Sequence, residues 1–227
     1  MIVGNGLLAT AFSPRFASDR ALTVFASGVA NSRETRQAEF ERERDLLQHT
    51  LQAAPVLVYF STCSVHDPEL SQSPYVQHKL AMEEIVQGAG PQHAIVRLPQ
   101  VVGLSANPHT LTNYLYRQIS AGERFQLWLQ ARRNLIDVAD IVAIVSHLVD
   151  ARKIAGASLN VACPFSVLVL DIVRSLEALI GRTARFDAVM AGAHYDLDTQ
   201  QVQAAAAQIG LVFDDHYIDK LIRKYYG

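Results

Sequence analysis

Two cysteines and one tryptophan in 227 residues set the first limits. Cys63 and Cys163 stand far apart, with no Cys-x-x-Cys or His-rich spacing beside them. That excludes a disulfide framework and argues against a structural zinc site, so no metal is expected. No apolar run approaches the roughly 20 residues that a membrane span needs. The first residues, Met1 to Gly6, lack the basic region and apolar stretch of a secretory leader. The expected location is therefore cytoplasmic, with no membrane partner. An excess of positive charge is missing too: 20 Lys and Arg stand against 22 Asp and Glu, without a basic run or interleaved aromatics. A nucleic-acid surface is not expected.

What is present fits a folded α/β protein. Hydrophobic residues make up 50% and charged residues 19%, enough for a sizeable core. Short apolar runs at 1–3, 21–26, 56–61, 94–98 and 159–162 read as strands buried on both faces. Between and after them, amphipathic stretches at 7–16, 33–53, 75–87, 110–121, 138–151 and 168–180 read as helices, and 200–210 and 215–226 as a helical tail. The alternation is that of a parallel sheet with covering helices. No repeat, low-complexity segment or long linker divides the chain. A single domain over 1–227 is expected, in which about 104–135 and 163–227 build a small substrate-side lobe.

Gly4-Asn5-Gly6-Leu7-Leu8-Ala9 reads as Gly-x-Gly-x-x-Ala between the first strand and the first helix. In such a loop the first glycine permits a tight turn, the second lets a pyrophosphate approach the backbone, and the small third residue lets helix and strand pack. The helix start then offers free N–H groups and positive dipole. By itself the motif reads equally well as a plain turn. The acidic residue usually found some 20 positions on, which holds the adenosine ribose, has no clear counterpart. Only residues 13–20 precede the next strand, leaving no room for a strand–helix–strand unit. Asp19 or Arg20 is the remaining candidate near that ribose.

The strand at 56–61 ends in Ser61-Thr62-Cys63-Ser64-Val65, followed by Ser73-Pro74-Tyr75-Val76-Gln77-His78-Lys79. Tyr75 and Lys79, four apart on a helix, share a face one turn apart. An ammonium beside a phenol favours the phenolate and makes it a usable acid/base near neutral pH. Thr62 can share the substrate oxygen. A bare Tyr-x-x-x-Lys more often means a packed tyrosine and a solvated lysine; the strand-terminal Ser-Thr and the Gly-x-Gly start turn the balance toward catalysis. A hydrolase using Ser61 or Ser64 would need a Gly-x-Ser-x-Gly elbow, which the sequence lacks.

In these motifs the chain resembles the extended short-chain dehydrogenase/reductase family of nucleotide-sugar epimerases, dehydratases and ketoreductases. Residues 95–103 resemble its sixth strand and nicotinamide-side loop, and residues 133–140 the Arg-x-Phe-x-x-Val-x-Asp segment returning from the substrate lobe. Residues 159–162 resemble its Tyr-Asn-Val strand. The resemblance implies a Rossmann-like parallel sheet flanked by helices, with a small C-terminal substrate lobe. It implies a catalytic triad of Thr62, Tyr75 and Lys79 and a cofactor, NAD or NADP, along Gly4, Asn5, Gly6, Leu7 and Leu8, with Ser27 and Gly28 beneath it. Lys79 would bind the nicotinamide ribose, Pro99, Gln100, Val101 and Val102 would line the nicotinamide, and Arg133 would meet the pyrophosphate of a nucleotide-sugar substrate.

The implied activity is reduction or epimerisation of a nucleotide-linked sugar. Cys63-Ser64 stands where the dehydratases carry Asp-Glu, which argues against dehydration. Cys63 reads as a buried small residue, and His66 and His78 as surface or supporting residues. The family further implies a homodimer through 33–53 and 75–87, although the charges of 33–44 equally fit a solvated face. The shortened first half keeps a second reading open: a degenerate relative that binds a ligand or partner without turnover.

Overall fold

Side chains alternate faces along a strand, so the unbroken apolar run Leu57-Val58-Tyr59-Phe60 needs cover on both sides. The structure, a computed structural model describing residues 1–192 and 194–227, supplies it. The first elements are β1 (Ile2–Val3), α1 (Leu7–Phe16), β2 (Leu22–Phe25), α2 (Gln37–Ala53), β3 (Val56–Thr62), α3 (Pro74–Gly88) and β4 (Ala94–Leu98). There follow β5 (Gln100–Val102), α4 (Leu111–Ala121), β6 (Arg124–Trp128), β7 (Arg132–Arg133), β8 (Leu135–Asp137), α5 (Val138–Asp150) and β9 (Ser158–Asn160). The last are β10 (Val167–Leu168), α6 (Val169–Ile180), β11 (Arg185–Val189), α7 (Gln200–Gln208) and α8 (Tyr217–Tyr226).

The main sheet has five parallel strands in the order β1-β2-β3-β4-β9. Val58 and Phe60 join Phe12 and Phe16 of α1 and Ile141, Ile144 and Leu148 of α5 in one core layer. Leu57 and Tyr59 join Leu47 of α2 and Met82 and Val86 of α3 in the other. This is the Rossmann-like, doubly wound arrangement that the sequence implied. Its strand order, however, is that of a 3-2-1-4-5-6 sheet without strands 2 and 3. Among the described residues no strand pairs with the outer side of β1. Every step across the sheet goes the same way, yet α1 covers one face and α2 and α3 the other. The β1–α1–β2 connection therefore has the opposite hand to the two through α2 and α3, against the strong preference for one hand.

That switch of faces has a consequence. Because α1 leaves β1 toward one side and α2 leaves β2 toward the other, a crevice opens at the carboxyl ends of β1 and β2. Open α/β sheets place their ligands at such a point.

The helix expected at 33–53 begins only at Gln37. Glu34 explains the delay: its Oε1 accepts from Thr35 N, Arg36 N and Arg36 Nε, closing a turn where the helix would have started. Side chain-to-backbone bonds of this kind compete with helix formation.

A second core lies beside the sheet. Leu115 and Ile119 of α4, Phe125 and Leu127 of β6, Val173 and Leu176 of α6, and Leu221 and Ile222 of α8 form it. Asp137 caps α5 and ties α8 to it, accepting from Ala139 N at 2.8 Å, Lys224 Nζ at 2.6 Å and Tyr225 OH at 2.6 Å. Not all of 163–227 belongs to this lobe: α7 packs on α5, and its Val202 and Ala205 lie in the core of the main sheet. Among the described residues no helix is long and apolar enough to cross a membrane.

Candidate active site

The loop after β1 turns tightly because Gly4 holds φ at +123°, where a Cβ would stand 2.3 Å from the Ala26 carbonyl oxygen. Only glycine tolerates that approach. Gly6 precedes α1, whose start carries no side-chain cap, and a Cβ there would meet nothing within 4 Å. Free N–H groups thus face open space in a cleft of about 630 Å³ at the carboxyl ends of the strands. Its walls include Asn5, Gly6, Leu7, Leu8, Ser27, Gly28, Thr62, Tyr75, Lys79, Pro99, Gln100, Val101 and Arg133.

Two of the expected residues stand apart from that wall. Gly4 shapes the turn from behind. Val102, 1% exposed, packs into the second core, because the pleat that turns Val101 to the cleft turns its neighbour away. Asp19 and Arg20 lie on none of the cleft walls either. They precede β2 and so sit at the amino end of the sheet, where Asp19 Oδ1 accepts from Ala21 N and Leu22 N. Glu39 and Arg42 of α2 line the cleft instead, Arg42 reaching the Ser27 carbonyl at 3.3 Å.

The catalytic candidates are set by two local devices. Thr62 ends β3, and its Oγ1 accepts from Ser64 N at 3.1 Å, which leaves the hydroxyl proton free to donate. Ser73 caps α3 through Val76 N at 3.2 Å with Pro74 in its first turn. The cap puts Tyr75 and Lys79 on consecutive turns at the cleft. Tyr75 is 9% and Lys79 3% exposed.

The lysine is not a free ammonium beside the phenol. Its Nζ lies 6.0 Å from the centroid of the Tyr75 ring. It donates to Glu43 Oε1 at 2.8 Å and to Tyr59 OH at 3.1 Å. Glu43 is fully buried and also accepts from Tyr59 OH at 2.7 Å and from Val29 N at 2.6 Å, and pairs with His78 Nε2 at 3.0 Å. Burial opposes a charge on Glu43, but Lys79 and the hydrogen bonds from His78, Lys79 and Val29 outweigh it and hold the carboxyl down at about 2. Tyr59 is pushed well above the usual phenol range by burial and by Glu43.

His78 is therefore a buried partner of Glu43 and not a surface residue. His66 is exposed, with Nε2 3.0 Å from Asn160 Oδ1. Cys63 is fully buried, and burial pushes its thiol up to about 12 despite nearby Arg97. Across the cleft stands Tyr195; burial, with Cys63 and Asp67 nearby, raises its phenol to about 12. Arg132 lines the wall beside Arg133, whose Nη1 donates to the Arg132 carbonyl at 2.7 Å.

Glu43 and Tyr59 escaped the sequence reading although Glu43 left a signal. Phe40, Glu43, Leu47 and Thr50 are the buried stripe of α2, and a carboxylate in that stripe demands a buried partner. Glu39, Arg42 and Tyr195 left none, since only the tertiary fold turns them to the cleft.

A glycine-turned loop at a helix start thus shares one cleft with Thr62, Tyr75 and Lys79. The model of the NAD dependent epimerase/dehydratase family matches residues 21–162, more than half the chain, and the chain belongs to that family. The match begins at β2 and leaves the glycine loop outside it. Several solved structures share the fold. UDP-glucuronic acid 4-epimerase from Bacillus cereus, in complex with UDP-glucuronic acid and NAD, superposes with a TM-score of 0.72 at 16% identity, covering 91% of this chain and 74% of that one. RMD from Pseudomonas aeruginosa, complexed with NADPH, gives 0.76 at 14% identity, covering 98% and 95%. TunA, an NAD dependent NDP-hexosamine 5,6-dehydratase of tunicamycin biosynthesis, gives 0.66 at 22%, covering 92% and 77%. No curated protein matches the sequence.

Proposed function

We propose that this chain is an NAD(P)-dependent oxidoreductase or epimerase acting on a nucleotide-linked sugar. The observation that carries the reading is the convergence of Thr62, Tyr75, Lys79 and the uncapped start of α1 on one cleft. The residues suit a dinucleotide: Gly6 leaves room that a Cβ would occupy, and a Cβ on Gly28 would fall 2.6 Å from Lys79 Nζ, so the bare glycine leaves the ammonium its present place at the cleft floor. Asn5, Gly6, Leu7 and Leu8 would hold the pyrophosphate, Ser27 and Gly28 the middle of the molecule, and Pro99, Gln100 and Val101 the nicotinamide. When bound, the nicotinamide supplies or accepts hydride.

In this scheme the Tyr75 phenol gives the proton to the sugar oxygen in one direction and takes it in the other. The Thr62 hydroxyl donates to the same oxygen and stabilises its developing charge. Lys79 turns its remaining N–H toward the cofactor ribose. Arg133, with Arg132 beside it, meets the substrate pyrophosphate with a planar fork. The residues of the second core, at about 104–135 and in much of 163–227, would form the substrate side.

The test is fluorescence titration of the purified protein with NADH and NADPH, alongside Gly6→Asp and Tyr75→Phe. Gly6→Asp has space to fold and places a carboxylate where phosphates would lie. Saturable binding lost in Gly6→Asp and kept in Tyr75→Phe is the expected result. A second reading, a relative that binds a ligand without turnover, draws on the outer side of β1, where no described strand or ribose-binding acid follows. Absence of saturable binding by folded protein would select it.

A further inference from the structure

Lys79, Glu43 and Tyr59 form a closed, buried triangle of hydrogen bonds beneath the cleft. Lys79 Nζ lies 2.8 Å from Glu43 Oε1 and 3.1 Å from Tyr59 OH, and Tyr59 closes the third side at 2.7 Å. Val29 N holds the other carboxylate oxygen at 2.6 Å, so Glu43 is anchored to the loop that lines the cleft. Two of the three ammonium hydrogens are spent inside the triangle. The third remains for the cleft, where Gly28 leaves the space. A buried ion pair by itself adds little to stability, and an apolar pair of similar volume often does as well. A pair kept at the floor of a cleft calls for a different account.

We propose that Glu43 is a positioning residue: its buried carboxylate, with the Tyr59 hydroxyl, fixes the Lys79 ammonium beneath Tyr75 and presents one N–H to the bound cofactor. The proposal rests on the reading of Tyr75 and Lys79 as active-site residues. The charged and titratable groups around the ammonium are few. Glu43 faces it from α2 and Tyr59 from β3. Tyr75, His78 and Glu83 belong to its own helix, and Arg97 of β4 is held by Glu83 through Nε at 2.9 Å and Nη2 at 2.5 Å. His78 gives Nε2 to Glu43, and its buried Nδ1 has no partner. Glu43 is thus the carboxylate that balances Lys79, and removing it strands a positive charge.

The experiment follows melting and NADH or NADPH titration of the intact protein and the variants Glu43→Gln, Glu43→Asp and Glu43→Gln with Lys79→Met, from about pH 7 to about pH 10. In Glu43→Gln the stranded ammonium gives up its proton more readily in the folded than in the unfolded chain. The unfolded state then binds more protons, and stability rises with pH relative to wild type. The Tm deficit of Glu43→Gln is expected to shrink toward about pH 10, and the double variant to show no such slope. Cofactor affinity of Glu43→Gln is expected to fall by about tenfold or more over that range, while Glu43→Asp, which keeps the charge, recovers most of it. A Tm deficit independent of pH, with unchanged cofactor affinity, would make Glu43 a packing residue and overturn the proposal. Should Glu43→Gln not fold, Glu43→Asp and the double variant decide: equal loss of cofactor binding in both overturns it. If the wild type binds no cofactor, the functional reading fails and the role of Glu43 with it, which the melting arm keeps distinct from failure of Glu43 alone.

Discussion

The two ends of the cleft are built to different standards. At the Tyr75 end hydrogen bonds hold Thr62 through Ser64 N, Lys79 through Glu43 and Tyr59, and Glu43 through four donors, all within the double-faced core of β3. At the glycine end the sheet stops. Among the described residues β1 has one neighbour and is only two residues long, and two charged side chains of the cleft wall, Glu39 and Arg42, are partly exposed and pair with each other at 3.3 Å. Local order scales with such burial and hydrogen bonding. The Tyr75 end is ordered by its own side chains, whereas the glycine end offers chiefly backbone N–H groups.

The largest effect should come from the rigid end. Tyr75→Phe is expected to lower turnover on a nucleotide sugar by about 100-fold or more while leaving cofactor affinity within a few-fold, measured by steady-state kinetics and nicotinamide fluorescence. Equal loss of both would mean that the phenol binds instead of reacting.

Gly4→Ala attacks the other end through the backbone. A Cβ only 2.3 Å from the Ala26 carbonyl, at φ +123°, is expected to destabilise the fold by about 2 kcal/mol or more. Denaturant unfolding measures it. A neutral substitution would show that the loop shifts freely and that the glycine end is looser than described.

Acid sharpens the contrast. Glu43 is held at about 2 in the fold, below its ordinary value of 4.5. A depressed carboxyl contributes stability that is complete above the unfolded value and lost as pH falls through the folded one. Wild type should therefore lose stability between 4.5 and about 2, and Glu43→Gln should lose less over the same window. Thermal melts across that range decide it; parallel curves would remove Glu43 from the account. The smallest effects lie away from the buried triangle: Arg133→Ala, at a half-buried wall residue, should weaken a nucleotide-sugar ligand by about tenfold, whereas Asp19→Ala, outside the cleft, should leave every affinity unchanged. Calorimetric titration distinguishes the two.

Much of this was legible in the chain itself. Strand 94–98 and helix 7–16 stand where the apolar periods put them, because both periods report burial and burial is what the fold preserves. Thr62, Tyr75 and Lys79 were readable because strand-end and i, i+4 geometry are local. Missing were the short strands β6 and β11, whose alternation is half-exposed and weak, and the helix start at Gln37, lost to the Glu34 turn.

The sequence by itself determined the parallel α/β architecture, the glycine turn and the Thr–Tyr–Lys spacing, since each depends on residues near one another in the chain. Only the tertiary structure decided where the charge on Lys79 goes. Glu43 lies 36 positions away, and no local period brings a helix α2 carboxylate under a helix α3 ammonium. The packing of both helices on the same face of β3 does that, because a charge buried on such a face must find its partner there.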